Sequence, residues 1–138
     1  MADNFKSDDI VIAKISNVKE CLRKIQKVTG GNADALDDSI VEDVFVLNCQ
    51  RAIQSCIDLA HYRIAQSGLS VPTEYRESFE IISKEGMIDK ELCESMKKMV
   101  GFRNIAVHEY SKLDKNILKS ILTKHLIDIE NFSKSISS

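Results

Sequence analysis

The sequence lacks the features that mark several common protein classes. Its apolar runs are far shorter than a membrane-spanning helix, and its first residues contain no basic segment followed by an apolar one. We therefore expect no membrane segment, no secretory signal and a cytoplasmic location. The four cysteines form no C-x-x-C pair, so we interpret them as small buried residues rather than as a disulfide or a metal site. Metal-ligand spacings such as H-x3-H and H-E-x-x-H are absent too, and we predict neither a metal nor a cofactor.

An excess of charge of one sign is also missing. The net charge is −2 and the isoelectric point is near 5.9, so the chain lacks the strongly basic footprint of a protein that holds nucleic acid by its whole surface. Any contact with nucleic acid must therefore be local. Internal repeats, a phosphate-binding glycine loop and strand-like alternation of useful length are absent as well. The 138 residues are 43% hydrophobic and 29% charged, as in a globular protein, and we predict one domain over residues 1–138.

What the sequence does contain is a series of helical patterns. Apolar residues recur at alternating steps of four and three, which is the spacing of one helix face. The segments are 11–25, 45–64, 75–82, 92–99 and 118–136. Asp37 or Asp38, Asp89 and Asp114 are placed to cap helix starts. We predict an all-α fold, an up-and-down bundle of four to five helices.

Polar residues on these helices leave some interpretations open. The polar side of the second helix is either a solvated face or the wall of a cleft, and it carries Gln50, Gln54, Asp58 and His61. Tyr75 is expected to face inward. His125 lies on the apolar stripe of the last helix, and we expect it to be packed or part of an interface rather than catalytic.

The fourth helix carries an arginine on its apolar face. The stripe formed by Leu92, Met96 and Met99 continues at Arg103. An arginine is almost never fully buried unless it is paired or faces a cleft. The position therefore requires either a partner or a ligand.

His108 is the only histidine close to Arg103 in the sequence. At 100° per residue, the five-residue step places the two side chains roughly 140° apart on one continuous helix. They converge only if the helix breaks between them or if a second copy of the chain supplies one of them. From spacing alone, a second interpretation stays open: Arg103 pairs with a carboxylate such as Asp58 or Glu109, and His108 lies at the surface.

The string Gly101-Phe102-Arg103-Asn104-Ile105-Ala106-Val107-His108-Glu109-Tyr110 resembles a known family motif. It is similar to the Arg-x4-6-His motif of HEPN domains, in the form carried by HepT-like ribonuclease toxins that are paired with a minimal nucleotidyltransferase antitoxin. An arginine and a histidine a few residues apart are a weak signal, but the ten-residue string is much more specific. The similarity extends over most of the chain, including residues 52–60 and 69–72.

The resemblance implies an enzyme. It implies the toxin component of a type II-like toxin–antitoxin system, a metal-independent endoribonuclease that acts as a homodimer with the motifs of both copies lining one cleft. In such cleavage the neighbouring 2′-hydroxyl of the RNA is the nucleophile, so one proton-transfer group and one cation suffice. His108 would exchange the proton and Arg103 would stabilise the charge on the phosphate. Asn104 would orient the phosphate or a ribose hydroxyl, or make a structural hydrogen bond.

Tyr110 has no evident place in this proton chemistry. The resemblance implies that the partner nucleotidyltransferase modifies it with AMP, which would block the cleft and switch the enzyme off. A half-exposed tyrosine that closes a helix end is the alternative. For the whole protein, the alternative is a non-enzymatic helical module that binds a nucleotide or a partner. We expect an interface between copies to include residues near Met99, Phe102 and Val107.

Overall fold

The computed structural model describes the backbone of residues 2–137 and the side chains of residues 9–137. Within that range the chain is helical, without strands. The helices are α1 (Ala2–Thr29), α2 (Ser39–Gln66), α3 (Tyr75–Lys84), α4 (Lys90–His108), α5 (Lys115–Ser120) and α6 (Leu126–Ile136). A π-helical turn, Ile121–His125, joins α5 and α6, and a 3-10 turn, Tyr110–Lys112, follows α4. With the last two helices counted as one, residues 2–137 form five helices, so the predicted all-α bundle is confirmed.

Aspartates cap three of these helices, as the sequence predicted. The Asp38 carboxylate accepts the backbone N–H of Ile40 at 2.8 Å and opens α2. Asp89 does the same for α4 at 2.7 Å, and Asp114 for α5 at 2.7 Å. A cap of this kind typically contributes on the order of 1 kcal/mol and fixes where the helix begins. The cap at Asp89 therefore helps to set the register of α4, which carries the Arg103 motif.

Helix α2 is the central element, and it packs against α1, α3, α4 and α6. Its apolar side is fully buried, as at Phe45, Ile53 and Ile57. Burying a side chain of this size stabilises the fold by roughly 1.5–3 kcal/mol. Phe79 of α3 and Phe132 of α6 meet edge to face in the core, with ring centroids 5.3 Å apart.

The four cysteines, Cys21, Cys49, Cys56 and Cys93, are unpaired and buried, as predicted. Burial raises the pKa of the Cys49 and Cys56 thiols above the usual cysteine value, so both remain protonated. They act as small hydrophobic residues of the α1–α2 contact. Among residues 2–137, no helix is both long enough and apolar enough to cross a membrane.

Candidate functional site

Helix α4 runs through the motif without a break. It extends from Lys90 to His108, and the N–H of Glu109 still donates to the carbonyl oxygen of Ile105 at 2.8 Å, an ordinary α-helical bond. Arg103 and His108 are therefore separated by about 7.5 Å along the axis and by roughly 140° around it. A helix break within one chain, one of the two ways to bring the pair together, is absent from the structure.

Arg103 is half-buried and extends from α4 onto the first residue of α3. Its Cζ lies 5.3 Å from the centroid of the Tyr75 ring, which is a cation–π contact. Its Nη1 donates a hydrogen bond to Oδ1 of Asn104 at 3.1 Å. Its Nε is buried and has no hydrogen-bond partner among the described residues. The guanidinium is thus held by a ring face and by one neutral amide.

The carboxylates that could have neutralised Arg103 are occupied elsewhere. Asp58 accepts from Lys14 of α1 at 2.8 Å, and Glu109 pairs with Lys112 at 3.6 Å. Among the side chains that the structure describes, none forms an ion pair with Arg103. The alternative interpretation of Arg103 as part of a buried ion pair with Asp58 or Glu109 is therefore wrong. Since no described carboxylate neutralises it, the positive charge of Arg103 can pair with an anionic ligand.

The other neighbour of Tyr75 is a histidine. The imidazole of His61 in α2 lies 5.7 Å from the Tyr75 ring, centroid to centroid, at an interplanar angle of 51°. His61 Nε2 is buried and has no partner among the described residues. Three helices thus contribute one side chain each to the row His61, Tyr75, Arg103. The polar side of α2 is thus partly covered at this point, by α3 at His61 and by α1 at Asp58.

The sequence indicated that Tyr75 faces inward but not that it contacts Arg103. The two residues belong to different helices, and helical periodicity relates only residues of one helix. Aromatic residues at the start of a helix also often pack in a helical core without any functional role. No signal in a single sequence would have selected it.

His108 is the last residue of α4 and is exposed. Its ring makes no hydrogen bond to any described side chain. Within one chain, Arg103 lies against α3 while His108 faces solvent, so a single copy does not bring the two together. A ligand or a second copy can reach His108 freely.

Tyr110 begins the 3-10 turn after α4, and its hydroxyl donates a hydrogen bond to Oδ1 of Asp43 in α2. Tyr110 is 45% exposed. Partial burial, and then the bond to Asp43 and the nearby negative charges, raise the pKa of Tyr110 to about 12. The hydroxyl is therefore protonated at neutral pH. The contact with Asp43, like that of Tyr75, joins separate helices and was not predicted.

Positive charge is concentrated beside α4. A cavity of about 410 Å³ is lined by the basic side chains Arg76, Lys97, Lys98 and Lys112 and by the acidic Glu94 and Asp114. Gly101 forms part of its wall, and a Cβ at this position would lie 2.9 Å from the Arg76 guanidinium. The glycine therefore permits the close approach of the Arg76 side chain.

The expected interface residues differ in exposure. Met99 and Phe102 are only 4% and 7% exposed, and they line a cavity of about 230 Å³ together with Ile117 of α5 and His125. His125 was expected to be packed or part of an interface, but its side chain is only partly covered, with 44% exposed and Nδ1 3.4 Å from Oδ2 of Asp128. Val107 is 39% exposed. Of the three residues named for the interface, Val107 alone offers substantial surface to a second copy.

The model of the HepT-like ribonuclease family matches residues 18–136 of this chain. The chain is 38% identical over 125 residues to the mRNA nuclease HepT of Shewanella oneidensis, which covers 91% of this chain and 94% of that protein. It is also 30% identical over 96 residues to a putative RNase of Archaeoglobus fulgidus, and that match covers 64% of this chain and 72% of the relative.

Solved structures agree. A toxin–antitoxin complex with AMP-PNP superposes with a TM-score of 0.87 at 38% identity, over 93% of this chain and 97% of that one. A tri-AMPylated Shewanella oneidensis HEPN toxin in complex with an MNT antitoxin superposes with a TM-score of 0.87 at 38% identity. The match covers 93% of this chain and 96% of that one. The fold and family expected from the motif are thus confirmed, and this chain belongs to the HepT-like ribonuclease family.

Proposed function

We propose that this protein is the toxin of a toxin–antitoxin pair, an endoribonuclease that cleaves RNA without a metal ion by means of Arg103 and His108. The observation that carries the proposal is the state of Arg103. Its guanidinium is half-buried on the Tyr75 ring, with no carboxylate partner among the described side chains. A cation held in this way costs stability unless a ligand uses it, and a phosphate is the anion that its planar fork of donors fits. The similar mRNA nuclease supports RNA as the source of that phosphate.

The motif supplies the proton-transfer group and the cation that this RNA cleavage needs from the protein. The 2′-oxygen of a ribose forms a bond to the adjacent phosphorus, and the bond from phosphorus to the 5′-oxygen of the next nucleotide breaks. His108 takes the 2′-hydroxyl proton while water protonates the leaving oxygen, or His108 protonates the leaving oxygen while water takes the 2′-hydroxyl proton. Arg103 stabilises the negative charge that develops on the phosphate, a kind of contact that typically contributes several kcal/mol at a transition state. Asn104 holds the guanidinium through its amide oxygen.

The site is composed from two copies of the chain. On the unbroken helix α4, Arg103 and His108 of one copy point in directions roughly 140° apart. A two-fold axis close to the end of α4 would place His108 of one copy beside Arg103 of the other. The exposed Val107 lies between the two residues and is suited to such a contact.

Control of the enzyme acts through Tyr110. The similar HEPN toxin is tri-AMPylated and is bound to an MNT antitoxin. In this chain a cognate nucleotidyltransferase would transfer AMP to the exposed hydroxyl of Tyr110, two residues from His108. The added phosphate is negatively charged, so it would pair with Arg103 of the composite site and repel RNA.

The test is cleavage of RNA by the purified chain in EDTA. Arg103→Ala and His108→Ala should each lower the rate at least 100-fold, since each removes a group that acts in the transition state. Arg23→Ala is the matched control, because Arg23 is exposed and pairs with Glu20 of α1. Unchanged cleavage by both site variants would show that the site is wrong. RNA binding without cleavage by the wild type would favour a non-enzymatic binding module.

A further inference from the structure

The hydroxyl of Tyr110 is in contact with one carboxylate, and that carboxylate comes from another helix. Asp43 lies in the second turn of α2 and accepts the O–H bond through Oδ1. Both side chains are exposed, so the pair lies at the surface and not in the core. The hydrogen bond holds the hydroxyl oxygen beside α2, on a residue that is 45% exposed.

Other carboxylates close to Tyr110 are committed to cations. Glu42, the neighbour of Asp43, pairs with Lys115 at 3.4 Å, and Glu109 pairs with Lys112 at 3.6 Å. Asp43 forms no ion pair with any described side chain. Its carboxylate is therefore able to accept a proton from Tyr110.

A phenol that attacks phosphorus must give up its proton. The pKa of Tyr110 is about 12, so almost none of it is ionised at neutral pH, and the proton has to leave as the new bond forms. The atom that already accepts this proton in a hydrogen bond is Oδ1 of Asp43. A base in hydrogen-bond contact with the attacking atom is the arrangement that activates hydroxyl nucleophiles in general.

We propose that Asp43 is a catalytic residue for the modification of Tyr110, which holds the hydroxyl and accepts its proton during nucleotidyl transfer. This inference rests on the proposed control through Tyr110. The co-reactant is a nucleoside triphosphate bound by the partner. Oη of Tyr110 forms a bond to the α-phosphorus, the bond from that phosphorus to the oxygen of the β-phosphate breaks, and pyrophosphate leaves with the electron pair. The proton passes to Asp43 and then to water.

This arrangement makes the toxin a participant in its own silencing. The antitoxin would supply the triphosphate, and the toxin would supply both the nucleophile and its base. After transfer the ester oxygen has no proton to donate, and the new phosphodiester is negatively charged beside the Asp43 carboxylate. The contact between residues 43 and 110 then breaks, which directs the attached nucleotide away from α2.

The test measures transfer by intact mass over time, with the full chain, the purified nucleotidyltransferase and ATP. Asp43→Asn keeps the size and one acceptor oxygen but cannot take a proton. It should lower the rate at saturating partner on the order of 100-fold, with little change in the partner concentration that gives half-maximal rate. Asp43→Ala should be at least as slow. Glu42→Gln, which removes the neighbouring charge without touching the hydroxyl, should react close to the wild-type rate.

The outcomes separate this inference from the proposal on which it rests. Wild-type transfer by Asp43→Asn, with mass added at Tyr110, would overturn the role of Asp43 and leave control through Tyr110 intact. A defect confined to the half-maximal partner concentration would also overturn it, since Asp43 would then serve docking alone. An unmodified wild type would overturn both. Circular dichroism of each variant checks that the helices are retained.

Discussion

The guanidinium of Arg103 lies over the ring of Tyr75, with 5.3 Å between Cζ and the ring centroid. The contact orients the arginine without neutralising it, because the ring offers a partial negative charge on its face but no carboxylate. An ion pair in the same position would hold the arginine more firmly and occupy the donors that a phosphate needs. The choice of an aromatic partner thus suits a site that must bind an anion.

Replacing Tyr75 separates this contact from simple packing. Tyr75→Leu should lower kcat for RNA cleavage by about tenfold, since a partly desolvated cation–π contact contributes on the order of 1–2 kcal/mol. Tyr75→Phe is the matched control and should keep kcat, because the ring face is retained. Steady-state kinetics with the two variants provide the measurement. A leucine variant with the kcat of the wild type would show that the ring does not position Arg103.

Mixing two inactive variants tests the composite site. Arg103→Ala and His108→Ala chains should each be inactive alone, yet an equimolar, re-equilibrated mixture should recover about a quarter of wild-type activity. Half of the dimers would be mixed, and in a two-fold arrangement one of their two sites would keep both residues. The measurement is RNA cleavage before and after unfolding and refolding the variants together. No recovery, with mixed dimers demonstrated by mass, would mean that each site is built from one chain.

The modification of Tyr110 has its own test. Tyr110→Phe should keep RNA cleavage, since the hydroxyl is not needed for it, and should escape silencing by the nucleotidyltransferase because no acceptor oxygen remains. Growth and intact mass after co-expression provide the two measurements. A phenylalanine variant that is inactive without the partner would place the hydroxyl in the cleavage reaction. A wild type that is neutralised but unmodified would mean inhibition by binding.

The hydrogen bond between Tyr110 and Asp43 predicts a pH dependence. Because folding raises the pKa of Tyr110 from its ordinary value of 10 to about 12, the contact stabilises the fold fully below pH 10 and is lost as the pH rises through 12. The stabilisation is at most about 1 kcal/mol, since the pair is half-exposed and screened. Tyrosinate absorbance of the wild type minus that of Tyr110→Phe isolates this titration. Asp43→Asn should move it toward pH 10, and an unmoved titration would mean that the bond does not form in solution.

Much of this protein followed from local sequence. The helices lie where the apolar periodicity predicted them. A helix buries one face, and the apolar residues of that face recur at a fixed spacing in the sequence. Asp38, Asp89 and Asp114 cap helices because a cap needs only an acceptor within three residues of the N–H that it bonds. The Arg103 motif was visible for the same reason, as a charge that interrupts an apolar stripe of its own helix.

The tertiary structure alone decided what these residues meet. Arg103 is held by Tyr75 rather than by Asp58 or Glu109. A helical bundle could have placed any of these three residues beside the arginine. Asp43 reaches Tyr110 because the end of α4 returns to the start of α2. Contacts of this kind join residues far apart in the chain, and their side chains are brought together by the packing angles of whole helices. No spacing within a single helix contains that information.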